Sequence, residues 1–243
     1  MEIHKPKPVQ NWREFLSEIS VVVCGILIAL SLEQGLEALH SAHQAEQARR
    51  DVRAEAAVDL ALMNVREGES LCIARRLDDL DARFASTDDE TAPASAIWVG
   101  RPSDVPMFAE RWRNVTASGR LSLFSPFEQR QLDNLFAVFG EFRAAELREQ
   151  DAWTRLRILE LWRLPIDPDM RRKLLDAVEA ARHEDFEIRR GAHFGEGIAK
   201  TLGIEADPGY GDLKGAPHAV CLPETTPRVQ ALSVLKDRVP APD

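Results

Sequence analysis

The chain has 243 residues, with 31 Lys and Arg against 40 Asp and Glu and a net charge of −9. Phosphate binding needs a concentrated basic surface, so this balance argues against nucleic acid as a partner. At 29% charged and 44% hydrophobic the composition is globular rather than disordered, enough for one large domain or two small ones. The abundance of Ala, Leu, Arg and Glu beside a single Tyr favours helix.

Residues 1–11 (MEIHKPKPVQN) hold Pro6 and Pro8 two apart, which prevents a helix and reads as an extended cytoplasmic lead. A helix is expected from Trp12. Its apolar run, Ile19 to Leu32 (ISVVVCGILIALSL), has fourteen residues without a charge. These rise about 21 Å as a helix, short of the roughly 30 Å hydrocarbon core of a bilayer. The flanks close the gap, with Trp12, Phe15 and Leu16 before the run and Leu36 and Leu39 after it. From Trp12 to Leu36 the charges are Arg13, Glu14, Glu18 and Glu33, all near the ends, where long side chains snorkel to headgroups. Residues 12–36 therefore read as a transmembrane signal anchor. One alternative is a buried core helix, since runs of this length often are. Another is a signal peptide removed at the small-x-small triplet Ala29-Leu30-Ser31. Glu14 and Glu18 in the leader, and a helical pattern that runs past that triplet without a turn signal, favour the uncleaved anchor. Lys5, Lys7 and Arg13 lie closer to the run than Arg49, Arg50 and Arg53, which favours a cytoplasmic N-terminus.

Beyond the run the apolar positions continue through Leu36, Leu39, Ala48, Val52, Ala56, Leu60 and Met63. Gly68 loosens the helix, and Ile73, Leu77, Leu80 and Phe84 form a further stripe ending at Thr87-Asp88-Asp89-Glu90. This predicts one long helix or two nearly collinear ones. Residues 87–105, with Pro93, Gly100 and Pro102, read as a loop, followed by a short helix from Met107 to Ala117 that Gly119 closes. Ser125-Pro126-Phe127-Glu128 is a strong start signal, with Ser as N-cap, Pro at N1 and Glu at N3. The helix it opens is expected to reach toward Arg163. Its apolar face is Leu132, Leu135, Phe139, Phe142, Trp153, Leu156 and Leu159, interrupted by Glu146 and Glu149. Asp167-Pro168 repeats the start signal for a helix carrying Met170, Leu174, Val178 and Ala181. That helix is expected to end near Gly191, with a shorter one over His193 to Leu202. A Pro- and Gly-rich remainder follows, with one late helix from Pro227 to Asp237. No strand pair emerges. The expected fold is all-α: a lead (1–11), a membrane helix (12–36) running on into a long juxtamembrane helix, a periplasmic helical bundle (37–205) and a C-terminal tail (206–243).

Chemistry is sparse. Glu37 and His40 are three apart on one helix face, half of what a di-iron bundle uses, with Glu179 and His183 as a loose counterpart; a polar juxtamembrane face is the simpler reading. There is no nucleophile elbow and no Gly-rich loop after a strand, so neither an enzyme nor a cofactor is expected. His183, His193 and His218 are scattered, and Asn114-Val115-Thr116 is a chance-level glycosylation triplet. Inside the apolar run, Gly25 and Ala29, and likewise Ser20 and Cys24, make small-xxx-small pairs that permit close helix approach in lipid. Glu18 and Glu33-Gln34 are placed to hydrogen-bond a partner helix, either a second copy or another membrane protein. Cys72 and Cys221 are the pair left outside the run; in an oxidising compartment they bridge, and otherwise they are two unrelated thiols.

The stretch Arg13-Glu14-Phe15-Leu16-x-Glu18-Ile19-x-Val21-Val22-Val23-x-Gly25-Ile26-Leu27-Ile28-Ala29-Leu30 resembles the start of a broad group of bacterial membrane proteins of unknown function. Those carry one membrane helix, reading roughly Glu-Ile-x-Val-Val-x-Gly-Ile-Leu-Ile-Ala-Leu, and a mostly helical domain. Ser118-Gly119-Arg120-Leu121 resembles a second feature of the group, whereas Glu33-Gln34 stands where many of its members have Asn and Trp. The resemblance implies a single-pass protein of the bacterial inner membrane, with a periplasmic domain and no assigned activity or catalytic residue. The expected role is that of an accessory, scaffold or sensor acting through protein association. A periplasmic small-ligand sensor and a helical-bundle metalloprotein are the alternatives.

Overall fold

The local start signals fold as helix caps. Ser125 Oγ accepts the Glu128 amide at 3.2 Å while Glu128 Oε2 accepts the Ser125 amide at 3.0 Å, and Asp167 Oδ1 accepts the Met170 amide at 2.7 Å. Each satisfies a donor that a helix N-terminus leaves orphaned. The computed structural model describes residues 12–85, 96–161, 165–210 and 218–236, and these contain helices and no strand. Residues 1–11, expected to form a cytoplasmic lead, the acidic run from Thr87 to Glu90 and Asp237 lie outside the described residues.

In chain order the helices are α1 (Trp12–Glu67), α2 (Ser70–Ala85), α3 (Glu110–Ala117), α4 (Pro126–Leu156), α5 (Pro168–Leu202) and α6 (Arg228–Lys236). The chain divides into two compact units, Met1–Arg49 and Arg50–Asp243, with the boundary inside α1.

In the first unit, an 18-residue window has a mean hydropathy of 2.3, and none of it is buried. Val21 is 70% exposed and Leu32 70%. That is not the pattern of a core helix. By length and composition, this is the one helix among the described residues able to cross a membrane, as an anchor or as a signal sequence.

In the second unit, α1 ends at Glu67 and α2 follows after two residues. Hydrogen bonds from Gly68 N to Asn64 O (3.1 Å) and from Ile73 N to Glu69 O (2.9 Å) carry the helical pattern across the break. Helices α4 and α5 pack antiparallel: Arg148 meets Glu184, and a Cβ added to Gly195 would meet Val138 Cγ1 at 3.4 Å and Met63 Cε at 3.3 Å. The core joins Ile73, Leu77, Leu80 and Phe84 of α2 to Trp153 and Leu156 of α4 and to Leu174, Val178 and Ala181 of α5. Burial of each large apolar side chain stabilises by about 1.5–3 kcal/mol.

Three boundaries differ from the sequence expectation. α3 begins at Glu110 and not at Met107, because residues 107–109 have no regular secondary structure. α5 does not stop near Gly191 but runs unbroken to Leu202, where Gly203 (φ +63°) closes it in the left-handed conformation. A mid-helix glycine costs about 1 kcal/mol, which the burial of Ile188, Ala192, Ala199 and Leu202 on either side outweighs. α4 gives way at Leu156 to a 3₁₀ turn over Arg157–Glu160, and residues 162–164 of the expected extension lie outside the described residues. Gly119 takes φ +72° after α3, as its place in the sequence suggests. The described part of the C-terminal segment packs into the second unit, with His218, Val220 and Ala231 buried.

Candidate functional site

The distinctive construction of the second unit is a strap, residues 96–109, which has no regular secondary structure and yet buries Ile97, Trp98, Val99 and Val105. A buried segment outside helix and sheet must find partners for its amides: Ile97 N and Trp98 N donate to the main-chain oxygens of Leu159 at 3.4 Å and Glu224 at 2.9 Å, and later amides donate to carboxylates. Glu160 accepts from Gly100 N at 3.0 Å, Glu69 from Ser103 N at 2.8 Å and Glu146 from Val105 N at 3.4 Å. Asp59 accepts from Phe108 N at 2.9 Å, and Glu55 accepts from Arg111 N and Trp112 N at 3.0–3.2 Å, capping α3. The carbonyl side is met by cations and amides. Arg76 donates to Trp98 O and to Val99 O, Arg143 to Val105 O and Gln150 to Pro102 O.

The register follows from pitch. From Glu69 back to Asp59 is ten helical positions, about 15 Å; from Ser103 to Phe108 is five extended residues, about 16 Å. The strap therefore runs antiparallel to the end of α1. Glu55 and Asp59 share one face of that helix, and Arg66, eleven positions after Glu55, returns to within about 20° of it.

Behind the strap lies a buried ion network. Arg66, 0% exposed, donates through Nη2 to both oxygens of Glu149 at 2.6 and 2.7 Å and to Asp185 at 3.2 Å. Glu149 also accepts from Trp153 Nε1 at 3.3 Å, and Arg189 covers the other oxygen of Asp185 at 3.0 Å. Burial alone would pull the Arg66 guanidinium down, but Glu149, Asp185 and Glu69 outweigh it and hold it above its ordinary value. Glu146 and Glu149, which interrupt the apolar face of α4 in the sequence, are thus the anchors of the strap and of this network. The sequence signal for them is charge at core register positions on both α1 and α4.

A second buried cluster joins Glu69, Ser103 and His218. Ser103 Oγ and His218 Nδ1 both contact Glu69 Oε1. Burial would raise the Glu69 carboxyl, yet the hydrogen bonds from His218 and Ser103 hold it below the usual range. Asp59 and Glu146 behave oppositely. Burial pushes each up to about 7, for Asp59 with the Phe108 amide opposing and Glu55 adding to the rise, for Glu146 against the pull of Arg143.

Cys72 and Cys221 form a disulfide, with Cα atoms 5.0 Å apart and a sequence separation of 149. Beside it, Trp98 Nε1 donates to Ala219 O at 2.8 Å and Arg76 to Leu222 O, which ties the strap to the C-terminal segment. Gly100 sits at φ +70° with room for nothing larger: a Cβ there would lie 2.4 Å from Ala219 O.

The other residues singled out in the sequence are not brought together. Glu37 and His40 lie on an exposed face, where His40 contacts Gln44 at 2.8 Å. Glu179 pairs with Arg182, not with His183. No group of three or more His, Cys, Asp or Glu able to hold a metal forms among the described residues. Ser20 Oγ donates to Leu16 O of its own helix at 2.7 Å, Cys24 is an exposed thiol, a Cβ on Gly25 would touch nothing within 4 Å, and Ala29 is exposed. A cavity of about 240 Å³ lies between Leu60 and Asn64 of α1 and Ala199, Gly203 and Ile204 at the end of α5. Chemically, most of the buried carboxylates hold main-chain amides or guanidinium groups; Glu69 is also shared by the Ser103 hydroxyl and the His218 ring, and Asp59 keeps one oxygen without a partner. No family model, curated protein or solved structure matches this chain.

Proposed function

We propose that the protein is a single-pass inner-membrane protein whose helical bundle faces the periplasm, and that it serves as an accessory, scaffold or sensor subunit through protein association. The observation that carries this reading is the apolar run in the first half of α1, charge-free from Ile19 to Leu32, with a mean hydropathy of 2.3 over eighteen residues and none of that window buried. Such a surface has lipid as its natural solvent. The Cys72–Cys221 bond fits an oxidising compartment, and Lys5, Lys7 and Arg13 fit a cytoplasmic N-terminus. The resemblance of residues 13–30 to a group of bacterial single-pass proteins supports the same address. Ser20, Cys24, Gly25 and Ala29 supply the small surface through which a second copy or another membrane helix would pack.

The ligand-sensor alternative has less support, because the bundle's cavity by Leu60 and Ile204, at about 240 Å³, falls below the roughly 300–1,000 Å³ usual for ligand pockets, and the larger hollow of about 720 Å³ beside Leu36 and His40 is the exposed face of one helix. Alkaline carbonate extraction of membranes tests the anchor. The protein is expected to stay with the pellet, and its release with the soluble fraction would overturn the proposal. Co-purification from native membranes then tests association: a stoichiometric partner or a homo-oligomer is expected, and a monomer alone counts against the scaffold role.

A further inference from the structure

Where the strap meets α1, it closes over a carboxyl group in an unusual setting. Asp59 is 0% exposed. Its Oδ1 accepts the Phe108 amide at 2.9 Å, while its Oδ2, also buried, has no hydrogen-bond partner. No cation pairs with it among the described residues. The charged group acting on it from α1 is Glu55, an anion whose oxygens are taken by the Arg111 and Trp112 amides. From the strap side Asp59 is met by main chain; Asp104 of the strap pairs with Arg143, and Arg111 of α3 pairs with Asp51. From α4, Glu146 meets the strap three residues earlier, at Val105, and pairs with Arg143. From α5, Glu196 and Lys200 line the cavity beside Leu60, and neither forms an ion pair with Asp59.

An isolated carboxylate in such a place is far more costly than the neutral acid. We infer that the strap is a proton-dependent latch: Asp59 holds it shut as the neutral acid, and ionisation of Asp59 favours its lifting. The group's position near 7 in the closed form, against an ordinary 3.8, sets the window. Below about 4 both the closed and the lifted form carry the proton, and the latch has its full strength. Between about 4 and 7 lifting releases a proton, so each unit of rising pH favours the lifted form further. Above about 7 the loss is complete and levels off. The inference concerns the second unit alone and does not depend on where the first unit resides.

Hydrogen–deuterium exchange on the full chain in detergent micelles tests it, with rates corrected for intrinsic pH dependence. Peptides covering 100–112 are expected to open at least about tenfold more readily at pH 7 than at pH 5, and at pH 7 to open more readily than peptides from the middle of α4, which exchange through global unfolding. Asp59→Asn, which keeps an acceptor for the Phe108 amide, is expected to cut that tenfold change at least about threefold, leaving the share that Glu146 supplies. Strap peptides that open no more readily than those of α4 at pH 7, or an unaltered pH response in Asp59→Asn, overturn the latch. Should Asp59→Asn fail to fold, selectively labelled aspartate carboxyls in the unmodified protein decide the question by NMR. An aspartate titrating above about pH 5.5 supports the latch, and titration of every aspartate at or below that value overturns it.

Discussion

The two halves of α1 solve opposite problems with the same backbone. From Trp12 to Leu36 the helix keeps its charges to the ends and leaves its apolar side chains uncovered. From Arg50 to Glu67 it does the reverse, burying Glu55, Asp59 and Arg66 along one face. In the first half the described side chains are exposed, so their state depends on the solvent around them. In the second half the charges are fixed by partners far away in sequence, Glu149 lying 83 positions after Arg66. The contrast shows that burial of charge in a helix reports what packs on it, whereas absence of charge reports what dissolves it.

The largest expected effect comes from breaking the charged half. Arg66→Ala leaves Glu149 and Asp185 buried without their cation and should cost about 3–5 kcal/mol, read as a lowered urea midpoint for the second unit. A cost under about 1 kcal/mol would mean that these carboxylates are solvated or neutral, and the contrast would dissolve. Next comes the converse insult, a charge placed in the apolar run. Leu27→Arg adds about 2.5–3.5 kcal/mol to membrane insertion and should shift protein out of the carbonate-resistant fraction with no change in the urea midpoint. A change in that midpoint instead would show that the first unit is held by packing. Gly100→Ala should destabilise by about 1–3 kcal/mol, through the left-handed backbone and the Ala219 carbonyl, and should raise exchange at Trp98 and Val99 first. The smallest effect, about 1 kcal/mol, is expected for Ser125→Ala, which removes one side of a capping box. Its full rescue by Asp would confirm that the loss is local to the start of α4.

What could be read in the sequence was what is local. The caps at Ser125 and Asp167 and the left-handed Gly119 declare themselves within four residues, and the hydrophobic periods of α2 and α4 within a few turns. Gly191 misleads for the same reason, since a local penalty near 1 kcal/mol says nothing of the burial on either side of it. Glu146 and Glu149 show in the sequence only as interruptions, because their partners, the Val105 amide and Arg66, come from segments 41 and 83 residues away. The strap is harder still. Its specificity resides in main-chain amides, which every residue except proline carries, so Gly100 and Pro102 announced a loop without saying that it would be buried. Asp59 sits beside the stripe of Ala56, Leu60 and Met63, and only tertiary structure shows that it shares that stripe's burial.

The strap is recognised through its backbone, and this sets what may vary in it. Carboxylates on helices that rise about 1.5 Å per residue are matched to amides that advance about 3.3 Å per residue, so the match places no demand on the side chains of Pro106 and Met107, whereas Asp104 pairs with Arg143 and Val105 is buried. Removing a single residue there would displace every later amide by more than the length of a hydrogen bond. Relatives of this chain should therefore keep the number of residues in that interval constant while varying most at positions 106 and 107.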